Sequence, residues 1–131
     1  MNDCIFCKIA SKEIPVDLVY EDERIIAFLD MKPINPGHTL IVPREHVDHF
    51  FDMSLPVYQH VFDMAKKIAP KLKDAMGSAR IGVLIEGLDV PHAHVHLIPI
   101  NGGREIDHER ARMATPEELK ETTEKIKSAL L

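Results

Sequence analysis

The chain has 131 residues, 45% of them hydrophobic and 28% charged, with a formal net charge of −5. That length holds one domain with a real core and not two, and the acidic balance argues against a protein that grips a nucleic-acid backbone. No apolar run approaches the ~18 residues of a membrane span, and the opening "MNDCIFCKIA" lacks the basic-then-apolar plan of a secretory signal.

A cytoplasmic protein with a single domain over 1–131 is therefore expected, without membrane or nucleic-acid partners. Its elements follow in chain order. "DCIFCKIASKEI" predicts a short first helix, and "VDLVYED" and "RIIAFLD" a hairpin with acidic residues at its turn. "MKPINPG" is a loop by its prolines and glycine, and "HTLIVP" a third strand closed by Pro43. Ser54 is positioned to cap a long helix running to about Met76, on which Leu55, Val61, Met64, Ala65, Ile68, Leu72 and Ala75 recur at helical spacing. Pro70 should kink or interrupt that helix, and Gly77 should stop it. "ARIGVLIE" and "HAHVHLIPI" predict two more strands, separated by "GLDVP". Thr115, Pro116 and Glu118 spell a capping box that opens a last helix through about Leu130. The order points to an α+β fold with an antiparallel sheet.

His92, His94 and His96 alternate with Ala93, Val95 and Leu97, so on a strand the three imidazoles share one face. Neighbouring rings start roughly 6.6 Å apart and the outer two roughly 13 Å apart, whereas zinc–nitrogen bonds are only ~2.0–2.1 Å long. This strand alone therefore cannot supply a three-histidine zinc site, and its histidines either divide between separate tasks or merely occupy a solvated face. Two neighbouring imidazoles can share work on a phosphate: one attacks phosphorus while the other, protonated, donates to a non-bridging oxygen.

"HAHVHLIP" resembles the pattern of the histidine triad (HIT) family, and "CIFCKIASKEIPVDLVYEDERIIAFLDMKPINPGHTLIVPREH" resembles the N-terminal half of its bacterial Hint-like branch. The resemblance covers about residues 3–100. It implies a HIT fold with a five-stranded antiparallel sheet and two main helices, paired with a second copy into a ten-stranded sheet. It also implies a nucleotide hydrolase or transferase, acting on a purine nucleotide that carries an amine, phosphate or acyl leaving group. By that match His94 would form a nucleotidyl-imidazole intermediate. Its other nitrogen would donate to a backbone carbonyl, expected from the "EGLD" turn. His96 and His38 would hold the phosphate, Asp30 the ribose hydroxyls, and Phe6, Ile9, Phe28, Leu29 and Met31 the base. No catalytic metal is required.

The chain departs from that branch before the triad. A Gly-Gln-Ser-like stretch reads Gly87, Leu88, Asp89 here, and Ile81 stands where an asparagine is usual. Asp89 beside a phosphate would repel it when ionised. A nucleotide-binding module with weak turnover and a zinc-stabilised interaction domain are the alternative functions. Cys4 and Cys7 have the spacing that lets two thiolates reach one zinc, that of a redox motif, or that of two inert buried thiols. In bacterial relatives with this pair the other zinc ligands resemble His46, with His49 as its rival, and His92. Structural zinc is thus implied, while His60 and His108 are expected to be ordinary surface residues.

Overall fold

A computed structural model describes residues 3–131. Its elements are α1 (Ile5–Ala10), β1 (Leu18–Glu21), β2 (Ile25–Leu29), β3 (Thr39–Pro43), α2 (Leu55–Met76), β4 (Arg80–Leu84), β5 (Val95–Ile100) and α3 (Pro116–Leu130), with short 3-10 turns at Phe50–Asp52 and His108–Arg110. All strand pairs are antiparallel, in one five-stranded sheet ordered β1-β2-β3-β5-β4. The predicted α+β architecture is present. Among the described residues no helix is long and apolar enough to cross a membrane.

Side-chain alternation gives the sheet two different faces. Ile25, Ala27, Leu29, Ile41, Val95 and Leu97 turn to one side and pack with Val61, Ile68 and Leu72 of α2 and Ile126 of α3. Ile26, Phe28, Leu40 and Val42 turn to the other, against Phe6 and Ile9 of α1. His96 pairs with Leu40 across the β3–β5 ladder, which places it on the α1 side. β2 and β3 are buried along their whole length, as strands covered on both faces must be.

The helix ends follow local chemistry, with two corrections. Thr115 and Glu118 close the capping box of α3 in both directions. After α2, Gly77 takes the left-handed conformation (φ 62°), while the Gly77 and Ser78 N–H groups donate to the Asp74 and Lys73 carbonyls. This is the termination that glycine permits. Pro70 does not interrupt α2, which runs unbroken for 22 residues. Pro70 and Lys66 both lie on the exposed face, so the Lys66 carbonyl deprived of its N–H partner faces water, where its loss is cheap. Ser54 occupies the cap position, yet its hydroxyl makes no cap hydrogen bond. Pro56 removes one of the amides such a hydroxyl would serve.

Strand bounds also differ from expectation. α1 is shorter than the predicted 3–14 and β4 shorter than 79–86. The last strand, expected over 92–100, begins only at Val95. Before it, the His92 N–H donates to the Val90 carbonyl at 2.8 Å and the Ala93 N–H to the Val47 carbonyl at 2.7 Å. His92 and His94 therefore stand on the loop that approaches the strand, although Ala93 still turns into the core with Val95 and Leu97.

His60 is no bystander. Its Nε2 donates to Asp22 at 2.7 Å, at a turn where Asp22 also accepts from the Arg24 and Ile25 N–H groups and the Tyr20 hydroxyl. Burial pushes the Asp22 carboxyl up, but these hydrogen bonds outweigh it and hold the pKa down at about 2. The pair fastens α2 to the β1–β2 turn.

Candidate active site

On the α1 side of the sheet lies a cavity of about 220 Å³. Phe6 and Ile9 come from α1, Phe28 and Leu29 from β2, and Asp30 and Met31 from the loop after it. Gly87 and Asp89 come from the β4–β5 loop, followed by His94 and His96. Gly87 has φ 77°, a left-handed conformation that a side chain would strain. His38 does not line this cavity; it stands behind His96 and lines a neighbouring one with Asp30.

The hydrogen bonds of the imidazoles assign their protons. His94 Nδ1 lies 2.6 Å from the His92 carbonyl oxygen. A carbonyl only accepts, so Nδ1 carries the proton and Nε2 keeps its lone pair. The acceptor is the residue two positions back and not the expected "EGLD" turn. The chain before Val95 has left the ladder, and its carbonyls are available to local side chains. The Phe6 ring stands edge-on to His94, with centroids 5.0 Å apart.

A second set of assignments begins at Ile34, whose N–H donates to His38 Nδ1 at 3.0 Å. The His38 proton must then sit on Nε2, which donates to His96 Nδ1 at 2.8 Å. His96 in turn carries its own proton on Nε2. Burial, reinforced by the neighbouring imidazoles, pushes the pKa of both His38 and His96 down to about 4. His96 is thus a neutral donor at neutral pH, not the protonated one expected. Asp30 lies close by, its Oδ2 3.7 Å from His38 Nε2 and its Oδ1 accepting from the Lys32 N–H at 2.9 Å. Burial raises its pKa, partly offset by that N–H. Asp30, His38 and His96 bring three potential ligand atoms within 4.8 Å. The proton fixed on His38 Nε2, however, makes a metal there unfavourable.

The other end of the segment has the opposite character. Cys4, Cys7, His46 and His92 bring their ligating atoms within 4.8 Å of one another. His92 Nδ1 is 3.3 Å from Cys4 Sγ, 3.5 Å from Cys7 Sγ and 3.2 Å from His46 Nδ1, and Cys7 Sγ is 3.3 Å from His46 Nδ1. A tetrahedron built on bonds of ~2.0–2.3 Å has edges of about 3.3–3.8 Å, so this quartet is close to the size of a zinc site. His92 Nε2 donates to the Pro43 carbonyl at 2.7 Å, which leaves Nδ1 unprotonated and aimed at the sulfurs. Burial also lowers the His92 pKa, keeping the ring neutral as a ligand must be. His49, the rival of His46, is not in the cluster.

Leu88, the departure noted before the triad, lines the cavity, as do Glu86, which the sequence did not single out, and His108, which it set aside as a surface residue; His108 Nε2 lies 2.6 Å from Glu86 Oε1. No periodicity marks His108, which sits in irregular chain after β5; only its residue type could have drawn attention. Leu88 is 86% exposed at the mouth. Among the described residues no lysine or arginine lines the cavity.

A family model for the HIT domain matches residues 11–103. A HIT-like protein of Borreliella burgdorferi is 42% identical over 106 residues, 76% of each chain. Adenylylsulfatase HINT3 of Arabidopsis thaliana is 32% identical over 103 residues, 75% of this chain and 52% of that one. Among solved structures, a Hit-like protein of Bartonella henselae superposes with a TM-score of 0.86 at 33% identity, covering 99% of this chain and 98% of that one. A zinc-bound histidine triad protein of Mycobacterium smegmatis gives 0.83 at 25% identity, covering 98% and 93%. The chain belongs to the HIT family.

Proposed function

We propose, for this HIT-family protein, that His94 Nε2 attacks the α-phosphorus of a purine nucleotide carrying an amine, phosphate or acyl leaving group. A nucleotidyl-histidine forms, and water releases the nucleoside monophosphate. The observation that carries this reading is the bond from His94 Nδ1 to the His92 carbonyl, which leaves the nitrogen on the other side of the ring with its lone pair, beside a cavity. Splitting one displacement into two easier ones is the logic of covalent catalysis.

The neighbouring groups suit the remaining tasks. His96 Nε2–H, its tautomer fixed from behind by His38 and Ile34, donates to a non-bridging oxygen and needs no reorganisation as charge develops. Asp30 accepts from the ribose hydroxyls, its raised pKa easing back when those donors arrive. Phe6, Ile9, Phe28, Leu29 and Met31 form the base slot. The cavity of about 220 Å³ is smaller than the roughly 300–1,000 Å³ of pockets that enclose a whole ligand. It would therefore hold one part of the nucleotide and leave the departing group at its open mouth. No step in this scheme calls on a metal.

Two structural partners complete the proposal. Cys4, Cys7, His46 and His92 hold a zinc ion that, when bound, supplies a crosslink and no open coordination position. It would join the first turn of α1, the loop after β3 and the approach to β5. A second copy of the chain would add its β4 to the β4 edge of the sheet, where Val83 is 53% exposed, giving ten strands.

Incubation with an adenosine 5′-phosphoramidate, rapid quenching and peptide mass analysis test the chemistry. The expected result is a nucleotide adduct on the peptide containing His94. In His94→Ala the adduct is absent and turnover falls by about 10⁵-fold or more, as for removal of other covalent nucleophiles. A wild type that binds AMP but turns over nothing in a panel of phosphoramidates and dinucleoside polyphosphates would leave a binding module in place of an enzyme. Metal analysis of wild type beside Cys4→Ser tests the zinc separately.

A further inference from the structure

Leaving-group chemistry needs a proton that His94 and His96 do not supply. His94 spends its only N–H on the His92 carbonyl. His96 accepts the His38 proton on Nδ1 and keeps a single N–H on Nε2, which the reading above assigns to a non-bridging oxygen. An amine or alkoxide expelled from phosphorus is strongly basic, and its departure without a proton is slow. The cavity offers one further imidazole.

His108 lines the cavity, its side chain half exposed and its Nε2 2.6 Å from Glu86 Oε1. The two come from different parts of the chain: Glu86 follows β4, and His108 opens the 3-10 turn at His108–Arg110. That turn is firmly held. Asp107 caps it by accepting from the Glu109 N–H, and the Ala111 N–H returns to the His108 carbonyl. Arg110 reaches Asn35 at 2.7 Å. The Arg112 and Ala114 N–H groups bond the Pro33 and Met31 carbonyls. The chain after β5 is thereby laced along the loop that carries Asp30 and Met31, and His108 is delivered to the cavity by a built support. Its Nε2–H points at a carboxylate, and its Nδ1 makes no hydrogen bond to any described residue. A charge on His108 is close enough to be felt at His38, His96 and Asp30.

We propose that His108 is the acid that protonates the leaving group and, in the second displacement, the base that accepts the proton of water, with Glu86 as its positioning residue. This rests on the reading of His94 as nucleophile. In the first step a bond forms from His94 Nε2 to phosphorus while the bond from phosphorus to the leaving nitrogen or oxygen breaks. Its electron pair stays on the leaving atom, which takes the proton of the His108 imidazolium. In the second step a water oxygen bonds to phosphorus, the phosphorus–Nε2 pair returns to His94, and His108 takes the water proton. One water is consumed and the enzyme is restored.

Two substrates with the same nucleoside separate a chemical role from a structural one. An alkylamine phosphoramidate needs a proton to depart; a p-nitrophenyl ester of the nucleoside 5′-phosphate does not. In single turnover with excess enzyme, His108→Ala should slow adduct formation from the phosphoramidate by about 100-fold, the lower end of general acid catalysis. The ester should lose less than about 3-fold, since its leaving group requires little acid assistance. Glu86→Gln should show the same selectivity at roughly 10-fold, as a residue that acts through another. An equal fall on both substrates, or no fall on either, overturns the role of His108. If wild type forms no His94 adduct from either, the nucleophile reading fails and this one with it; an intact wild-type adduct confines the failure to His108.

Discussion

At the His92 end of the 92–96 segment, four ligating atoms crowd within 4.8 Å of one another; at the His96 end, every nitrogen that faces another group meets its complement. His92 presents a lone pair to two sulfurs and a second imidazole. His96 presents a lone pair to the N–H of His38, whose own lone pair receives the N–H of Ile34. The first arrangement invites a cation. The second is closed by protons already in place. The difference is set by one hydrogen bond on each ring: Pro43 takes the Nε2 proton of His92, and Ile34 forbids a proton on Nδ1 of His38. Identical side chains become ligand or donor according to the backbone group behind them.

The largest expected effect breaks the His92 side. Chelation, or Cys4→Ser with Cys7→Ser, should cost on the order of 5 kcal/mol or more of stability, given the ~10–16 kcal/mol with which structural zinc can bind at neutral pH. Thermal unfolding with and without chelator measures it, and a midpoint indifferent to chelator would dissolve the contrast. Next comes pH. His38 and His96 titrate near 4 when folded and near ~6.5 when unfolded. The unfolded chain therefore binds more protons between those values, and stability falls as pH drops from about 6.5 toward 4. Urea unfolding at pH 7 and pH 4.5 should show that loss in wild type and a shallower one in His38→Ala.

His38→Ala should also slow the first displacement by about 10²-fold, or ~2.7 kcal/mol, because the His96 tautomer is no longer dictated. Metal content should be unchanged. A matching loss of metal would mean that the two ends are one unit. The smallest effect serves as the control: Thr115→Ala should cost about 1 kcal/mol through the lost cap, read by denaturant midpoint, with turnover and metal content both untouched.

Patterns with a local cause were legible in the sequence. Alternation placed Ala93, Val95 and Leu97 in the core and His96 opposite them; the capping box and Gly77 marked helix ends because a short-range rule governs each. What escaped depends on partners distant in sequence. Where β5 begins is decided by Val47 and Val90, which capture the N–H groups of Ala93 and His92. Whether Pro70 breaks α2 depends on which face meets water, and whether Ser54 acts as a cap depends on Pro56. His108 carries no signal of its own, since its significance comes entirely from Glu86 and from a strap tied to Pro33 and Met31. The proton positions, too, are invisible until the acceptors are known.

The seat of β5 has a consequence for how the molecule comes into being. It threads between β3 and β4, so Leu40 must wait for His96 while Leu84 closes from the other flank. Such long-separation pairings are slow to nucleate. The proposed nucleophile and phosphate donor both sit on the segment so placed, so a chain in which β5 has not yet entered the sheet is expected to hold neither in position.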